Sequence, residues 1–132
     1  MPSAVSLQNP VIAVVDDDRS VCTGVQRLLR ASGFGTITFT SGVDFLASLA
    51  STMPDCIVLD LTMPEIDGLA VQARLNGGGV KTPVIFISAI TEGEQRRQAL
   101  AAGAFRFLSK PFDGQVLIDA ITLALQSGKQ DQ

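Results

Sequence analysis

Val11-Ile-Ala-Val-Val15, followed at once by Asp16, Asp17 and Asp18, is the stretch that decides the fold. An apolar run without alternation reads as a strand covered on both faces. Behind it, Asp18 or Ser20 can cap a helix whose apolar residues Val21, Val25, Leu28 and Leu29 follow helical spacing, and Gly33 and Gly35 break that helix. One strand and one helix in about 25 residues is the unit of an alternating α/β chain.

The unit then repeats in kind, without repeating in sequence. Thr36 to Thr40 is a β-branched strand, and Ser41-Gly-Val-Asp44 resembles a capping box that opens a helix carrying Phe45, Leu46 and Leu49. Pro54 marks the turn into the buried strand Cys56-Ile-Val-Leu59, which ends at Asp60. A third helix starts after Asp67 and stops at Asn76-Gly-Gly-Gly79. Pro83 leads into Val84-Ile-Phe-Ile87, which ends at Ser88. Thr91-Glu-Gly-Glu94 has capping-box spacing and opens a fourth helix ending at Gly103. Arg106-Phe-Leu108 is a short last strand terminated by Lys110-Pro111, and Val116, Leu117, Ala120, Ile121, Ala124 and Leu125 form an apolar stripe on a fifth helix. Five strands and five helices in strict alternation predict a doubly wound parallel sheet with helices on both faces.

Composition bounds the rest. At 132 residues, 46% of them apolar, the chain is one globular domain, expected over 11–127 with a disordered lead-in at 1–10 and a flexible tail at 128–132. A net charge of −3 argues against a nucleic-acid or anionic-membrane surface. The absence of histidine removes His-based acid–base catalysis, Ser-His-Asp triads and His-rich metal sites. Cys22 and Cys56 sit in apolar contexts without C-x-x-C spacing, as two buried reduced thiols would. The first ten residues lack the charged and apolar segments of a signal peptide, and no apolar run reaches the ~18 residues of a membrane span, so a cytoplasmic location is expected.

Sites in an open parallel α/β sheet form outside the carboxyl ends of the strands. Asp16 and Asp17, Asp60, Ser88 and Lys110 all fall at such ends. Any one of them alone is an ordinary strand end or helix cap; their conjunction on one rim is what carries weight. Clustered carboxylates resist joint ionisation unless a cation neutralises them, and hard oxygen ligands suit Mg²⁺. A lysine opposite supplies a point charge for a phosphate, and a screened carboxylate can attack phosphorus.

These residues resemble the response-regulator receiver family from about Val11 to Leu125. The matching pieces are Val14-Val-Asp-Asp17, Val58-Leu-Asp-Leu-Thr-Met-Pro-Glu-Ile-Asp-Gly68, Ile87-Ser-Ala89 and Lys110-Pro-Phe112. The resemblance implies a flavodoxin-like strand order 2-1-3-4-5. It implies Asp60 as phosphoacceptor, and Mg²⁺ held by Asp17, Asp60 and the backbone carbonyl of Thr62, with Asp16 acting through water. Lys110 would pair with the phosphoryl oxygens, Ser88 would hydrogen-bond one of them, and the N–H of Ala89 another. Lys110-Pro111 would be a cis peptide. Phe107, three residues before the lysine, would be the aromatic switch, where the family often carries Tyr; without a hydroxyl its switching would rest on packing. An ordinary core Phe is the plain alternative. Ile90 would shield the phosphoryl group from water and prolong its life.

The implied partner is a sensor histidine kinase or a histidine phosphotransfer protein, engaged around Arg19 to Leu29. The surface of the fourth helix, last strand and fifth helix would switch, and could also pair two copies. On this reading the domain assists its own phosphorylation and hydrolysis but turns over no separate metabolite. Two alternatives compete. A degenerate receiver used only for docking usually lacks the acceptor or an acidic partner, and this chain keeps both. Asp60-Leu-Thr62 faintly resembles haloacid-dehalogenase-type phosphotransferases, which need further acidic residues after their lysine; only Asp113, Asp119 and Asp131 follow here. Gly77-Gly-Gly-Val-Lys-Thr82 lacks the spacing of a phosphate-binding loop and precedes a strand.

Overall fold

The computed structural model describes residues 9–89 and 93–130, apart from the side chains of 128–130. The strands are β1 (Val11–Val15), β2 (Gly35–Phe39), β3 (Cys56–Asp60), β4 (Val84–Ser88) and β5 (Arg106–Ser109). The helices are α1 (Arg19–Ala31), α2 (Gly42–Ser48), α3 (Gly68–Gly77), α4 (Glu94–Ala101) and α5 (Gly114–Gln130). All four strand pairings are parallel and the order is β2-β1-β3-β4-β5, the order that the resemblance implied.

Alternate residues of each central strand serve two cores. Ile12, Val14, Val58, Ile85 and Ile87 pack with Val25 and Leu29 of α1 and Leu117, Ile121 and Ala124 of α5. Ala13, Val15, Ile57, Leu59 and Phe86 pack on the other face with Phe45 of α2, Val71 and Leu75 of α3 and Ala99 of α4. Burial on both faces is why β3 and β4 are apolar at nearly every position. Chain connection reverses direction between β1 and β3, which opens a crevice beyond their carboxyl ends.

Local signals set most boundaries. Asp18 caps α1 by accepting from the Ser20 N–H, Ser41 caps α2 through Asp44 N–H, and Asp67 caps α3 through Ala70 N–H. Five expectations move. β2 starts at Gly35, because its N–H donates to Pro10 O at 2.8 Å, and it ends at Phe39 instead of Thr40. α4 begins at Glu94 with Gly93 at its N-cap, at φ 97° and without a side-chain cap bond; Thr91, from which a cap was expected, lies outside the described residues, as does Ile90. β5 extends to Ser109 and α5 to Gln130, so the stretch expected as a tail from 128 begins as helix. Val116 is 48% exposed at the edge of the α5 stripe, because it is rotated a full helical step from the buried Leu117. Cys22 and Cys56 are both free and buried, as expected, and burial pushes the Cys56 thiol up to about 12. Among the described residues no helix is long and apolar enough to cross a membrane.

Candidate phosphoacceptor site

The crevice gathers residues from three strand ends. Asp16 directly follows β1, and its N–H donates to Phe39 O at 3.0 Å, which extends the β1–β2 ladder into the rim. The Asp16 side chain is wholly buried; Oδ1 accepts from Asp18 N–H at 2.9 Å and Oδ2 accepts from Lys110 Nζ at 2.8 Å. Asp60 closes β3, is 5% exposed, and its Oδ1 accepts from the same Nζ at 3.2 Å. Asp17 is exposed at the mouth. One carboxylate oxygen of each of the three aspartates lies within 4.8 Å of the others.

These neighbours set the charge states. Asp60 keeps its proton up to about 6, against an ordinary 3.8, chiefly because it is buried and then because Asp16 is charged beside it; Lys110 opposes the shift and Asp17 adds to it. Burial lowers the basicity of Lys110, but its hydrogen bond to Asp16 and the charges of Asp16 and Asp60 outweigh that and hold it above its usual value. One ammonium thus answers two buried carboxylates, and a third carboxylate stands nearby. Hard anionic oxygens this close together, short of positive charge, fit a small divalent cation such as Mg²⁺.

Backbone geometry fixes the cluster. The Lys110 N–H donates to Ser88 O at 2.8 Å, which ties the end of β5 to the end of β4, and Lys110-Pro111 is cis, as expected. Ser88 is 2% exposed and Ala89 beside it is exposed. Thr62 is exposed two residues beyond Asp60. The loop from β3 folds back on Asp60, since Gly68 N–H donates to Leu61 O at 2.8 Å. A Cβ at Gly68 would collide with the Asp60 carbonyl and approach Phe86 Cε1 to 2.8 Å. Phe107 packs against the second core. It is half-buried, stacked on Phe86 with centroids 6.1 Å apart, and the Arg96 guanidinium lies 5.7 Å from its centroid.

The rim predicted from sequence therefore assembles from Asp16, Asp17, Asp60 and Lys110, with Ser88 and Ala89 on the adjoining strand end. Sequence reasoning placed Lys110 on the rim with Asp16 but missed the direct hydrogen bond between them, a contact across 94 positions for which no local signal exists. It also missed a groove of about 540 Å³ beside the site, lined by Val21, Gly24 and Leu28 of α1 and by Pro111, Phe112 and Gly114. Gly24 is a usable clue: it lies inside a helix at an energetic cost, yet a Cβ there would meet nothing within 4 Å.

Comparison with known proteins agrees with this geometry. A family model described as the response regulator receiver domain matches residues 12–122. The chain is 39% identical over 119 residues to the transcriptional regulatory protein TdiR of Thauera aromatica, covering 90% of this chain and 52% of that protein. It is 37% identical to the response regulator protein TmoT of Ectopseudomonas mendocina, covering 95% and 57%. The chain thus spans about half the length of the curated relatives it matches. Among solved structures, the receiver domain of the Francisella response regulator 1452 superimposes with a TM-score of 0.86 at 28% identity, covering 91% of this chain and 99% of that one. With the model matched across both cores and the acidic rim, the chain belongs to the receiver-domain family of two-component response regulators.

Proposed function

We propose that Asp60 accepts a phosphoryl group from a phosphohistidine donor, a sensor histidine kinase or a histidine phosphotransfer protein, and that Mg²⁺ assists. The observation that carries this reading is the pairing of Asp60 and Asp16 on one lysine, with Asp17 close enough for all three to share a cation. When bound, Mg²⁺ would screen the carboxylates from the phosphate oxygens. Asp17, Asp60 and the Thr62 carbonyl are its proposed direct ligands, and Asp16 acts through water.

The ionised Asp60 oxygen forms a bond to phosphorus while the bond from phosphorus to the donor nitrogen breaks, and the histidine leaves with the electron pair. Lys110 turns from its carboxylates toward the new phosphoryl oxygens. Ser88 Oγ–H and the Ala89 N–H donate to two of them. Phe107 then changes its packing against Phe86, and the α4-β5-α5 surface reports the change. Leu100, Val116 and Leu123 are 37%, 48% and 46% exposed on the two helices of that surface, which supports a partner or a second copy seating there. The groove along α1 is the proposed approach of the donor, because it opens beside Lys110.

The test is incubation with Mg²⁺ and a small acyl phosphate. The intact mass should rise by one phosphoryl group, and Asp60→Asn should abolish the rise. An unchanged rise in Asp60→Asn would place the acceptor elsewhere.

A further inference from the structure

Among the described residues, α4 is held almost entirely at one end. Its first five residues, Glu94 to Gln98, are exposed, and Ala99 is its one buried side chain. The C-terminal end is closed by a Schellman motif: Ala104 N–H donates to Ala99 O at 3.1 Å and Gly103 N–H to Leu100 O at 3.0 Å, with Gly103 at φ 103°. Two side chains of α3 reach the same end. Gln72 Nε2 donates to Ala99 O at 3.3 Å, and Asn76 Nδ2 donates to Ala102 O at 2.9 Å. These amides stand four residues apart, one above the other on a single face of α3. Gln72 is 2% exposed and its Oε1 meets no partner among the described residues. A packed apolar residue would avoid that cost, so the donor side of the amide is what the position uses.

Among the described residues, the other end of α4 touches the body through Arg96, whose guanidinium lies over the Phe107 ring. A seat on an aromatic face is weak at an exposed site and depends on where the ring points. The two attachments therefore differ in kind, the first tied to the fixed α3 and the second to a ring on β5.

We infer that Gln72 and Asn76 form a latch that pins the C-terminal end of α4 to α3, so that α4 moves only by swinging its N-terminal half. The latch is a property of the resting chain. Its use as the pivot of a phosphorylation switch rests on the reading of Asp60 given above. On that reading, a turn of Phe107 takes away the Arg96 seat, while Ala99 and Ala102 stay where they are. Gln72 and Asn76 are thus positioning residues, remote from the phosphoryl group.

Amide hydrogen exchange tests this on the full chain. In the metal-free, unphosphorylated protein, Gln72→Met and Asn76→Ala should each speed exchange at Ala102, Gly103 and Ala104 by roughly fivefold, the equivalent of one hydrogen bond. Exchange in β3 should stay unchanged, which separates a latch from a general loss of stability. Asn76 is exposed, so Asn76→Ala keeps the test alive should Gln72→Met fold poorly. Asn76→Gln, which keeps the donor, should restore part of the protection. No change at those three amides in either variant would overturn the latch. In wild type loaded with beryllofluoride and Mg²⁺, exchange should change at Arg97 and Gln98 and hold at Gly103 and Ala104; the reverse pattern would overturn the pivot. A chain that takes up neither beryllofluoride nor a phosphoryl group would count against the reading of Asp60, and the unphosphorylated variants would still decide the latch.

Discussion

Asp60→Asn should stabilise the metal-free domain at neutral pH, although it removes the residue on which the proposed function rests. In the unfolded chain the Asp60 carboxyl loses its proton near 3.8, and in the native protein it holds the proton up to about 6. The native state therefore binds more protons across this window. Stability is greatest below 3.8 and falls as pH rises through 6. At about 1.36 kcal/mol per pKa unit, the gap is worth about 3 kcal/mol. Asn cannot ionise, so the variant escapes the whole loss above pH 6 and gains little near pH 4. Urea unfolding in EDTA, from pH 4 to 8, reads the effect. The variant's midpoint should exceed that of wild type by roughly 1–3 M at pH 7.5, with most of the difference gone at pH 4. Excess Mg²⁺ should reverse the order, because it stabilises only the chain that binds it. A midpoint difference independent of pH would refute the charge argument, and a less stable variant at pH 7.5 would refute its sign.

If Mg²⁺ takes the Asp60 carboxylate as proposed, it competes there with protons, so apparent Mg²⁺ affinity measured calorimetrically should fall close to tenfold per pH unit below about 6 and level off above it. Lys110→Met should destabilise the metal-free domain by about 3–5 kcal/mol in the same urea assay, since it leaves the wholly buried Asp16 without its cation. Gly68→Ala should cost about 1–3 kcal/mol by driving a methyl into the Asp60 carbonyl and Phe86, whereas Gly24→Ala should gain up to ~1 kcal/mol because its methyl meets open space. Gly24→Leu should leave labelling by a small acyl phosphate within twofold but slow transfer from a phosphorylated histidine phosphotransfer protein at least tenfold; equal slowing of both would remove the groove from donor docking.

The sheet was legible because its information is local. Val11 to Val15, Cys56 to Leu59 and Val84 to Ile87 are apolar at every position and only four or five residues long, as a strand covered on both faces is. Helix starts at Asp18, Ser41 and Asp67 were legible for the same reason, since a cap acts within three residues. Where the signal is not local, reading fails. Thr36 and Thr40 gave β2 a propensity but no register, and the register comes from Pro10 O, which meets Gly35 N–H across the sheet. The resemblance to receivers supplied the strand order, which alternation leaves open. Gln72 and Asn76 carried no signal of a contact with α4: two polar residues on a helix look like a solvated face until α4 is laid across them.

The site also explains why its residues could not be exchanged for more stable ones. Burial raises Asp60 toward neutral pH and so costs the metal-free fold about 3 kcal/mol. An exposed aspartate would carry no such cost, but water would screen it from both Lys110 and the cation. Lys110 can hold two carboxylates because both are buried beside it, at 2.8 and 3.2 Å. That arrangement leaves the cluster one cation short, a deficit that a divalent ion would relieve. Relieving the deficit within the protein, as Asp60→Asn does, should yield a sturdier domain with nothing left to phosphorylate. On the proposed function, instability without metal and competence as an acceptor are one electrostatic property, which unfolding and intact mass would each read.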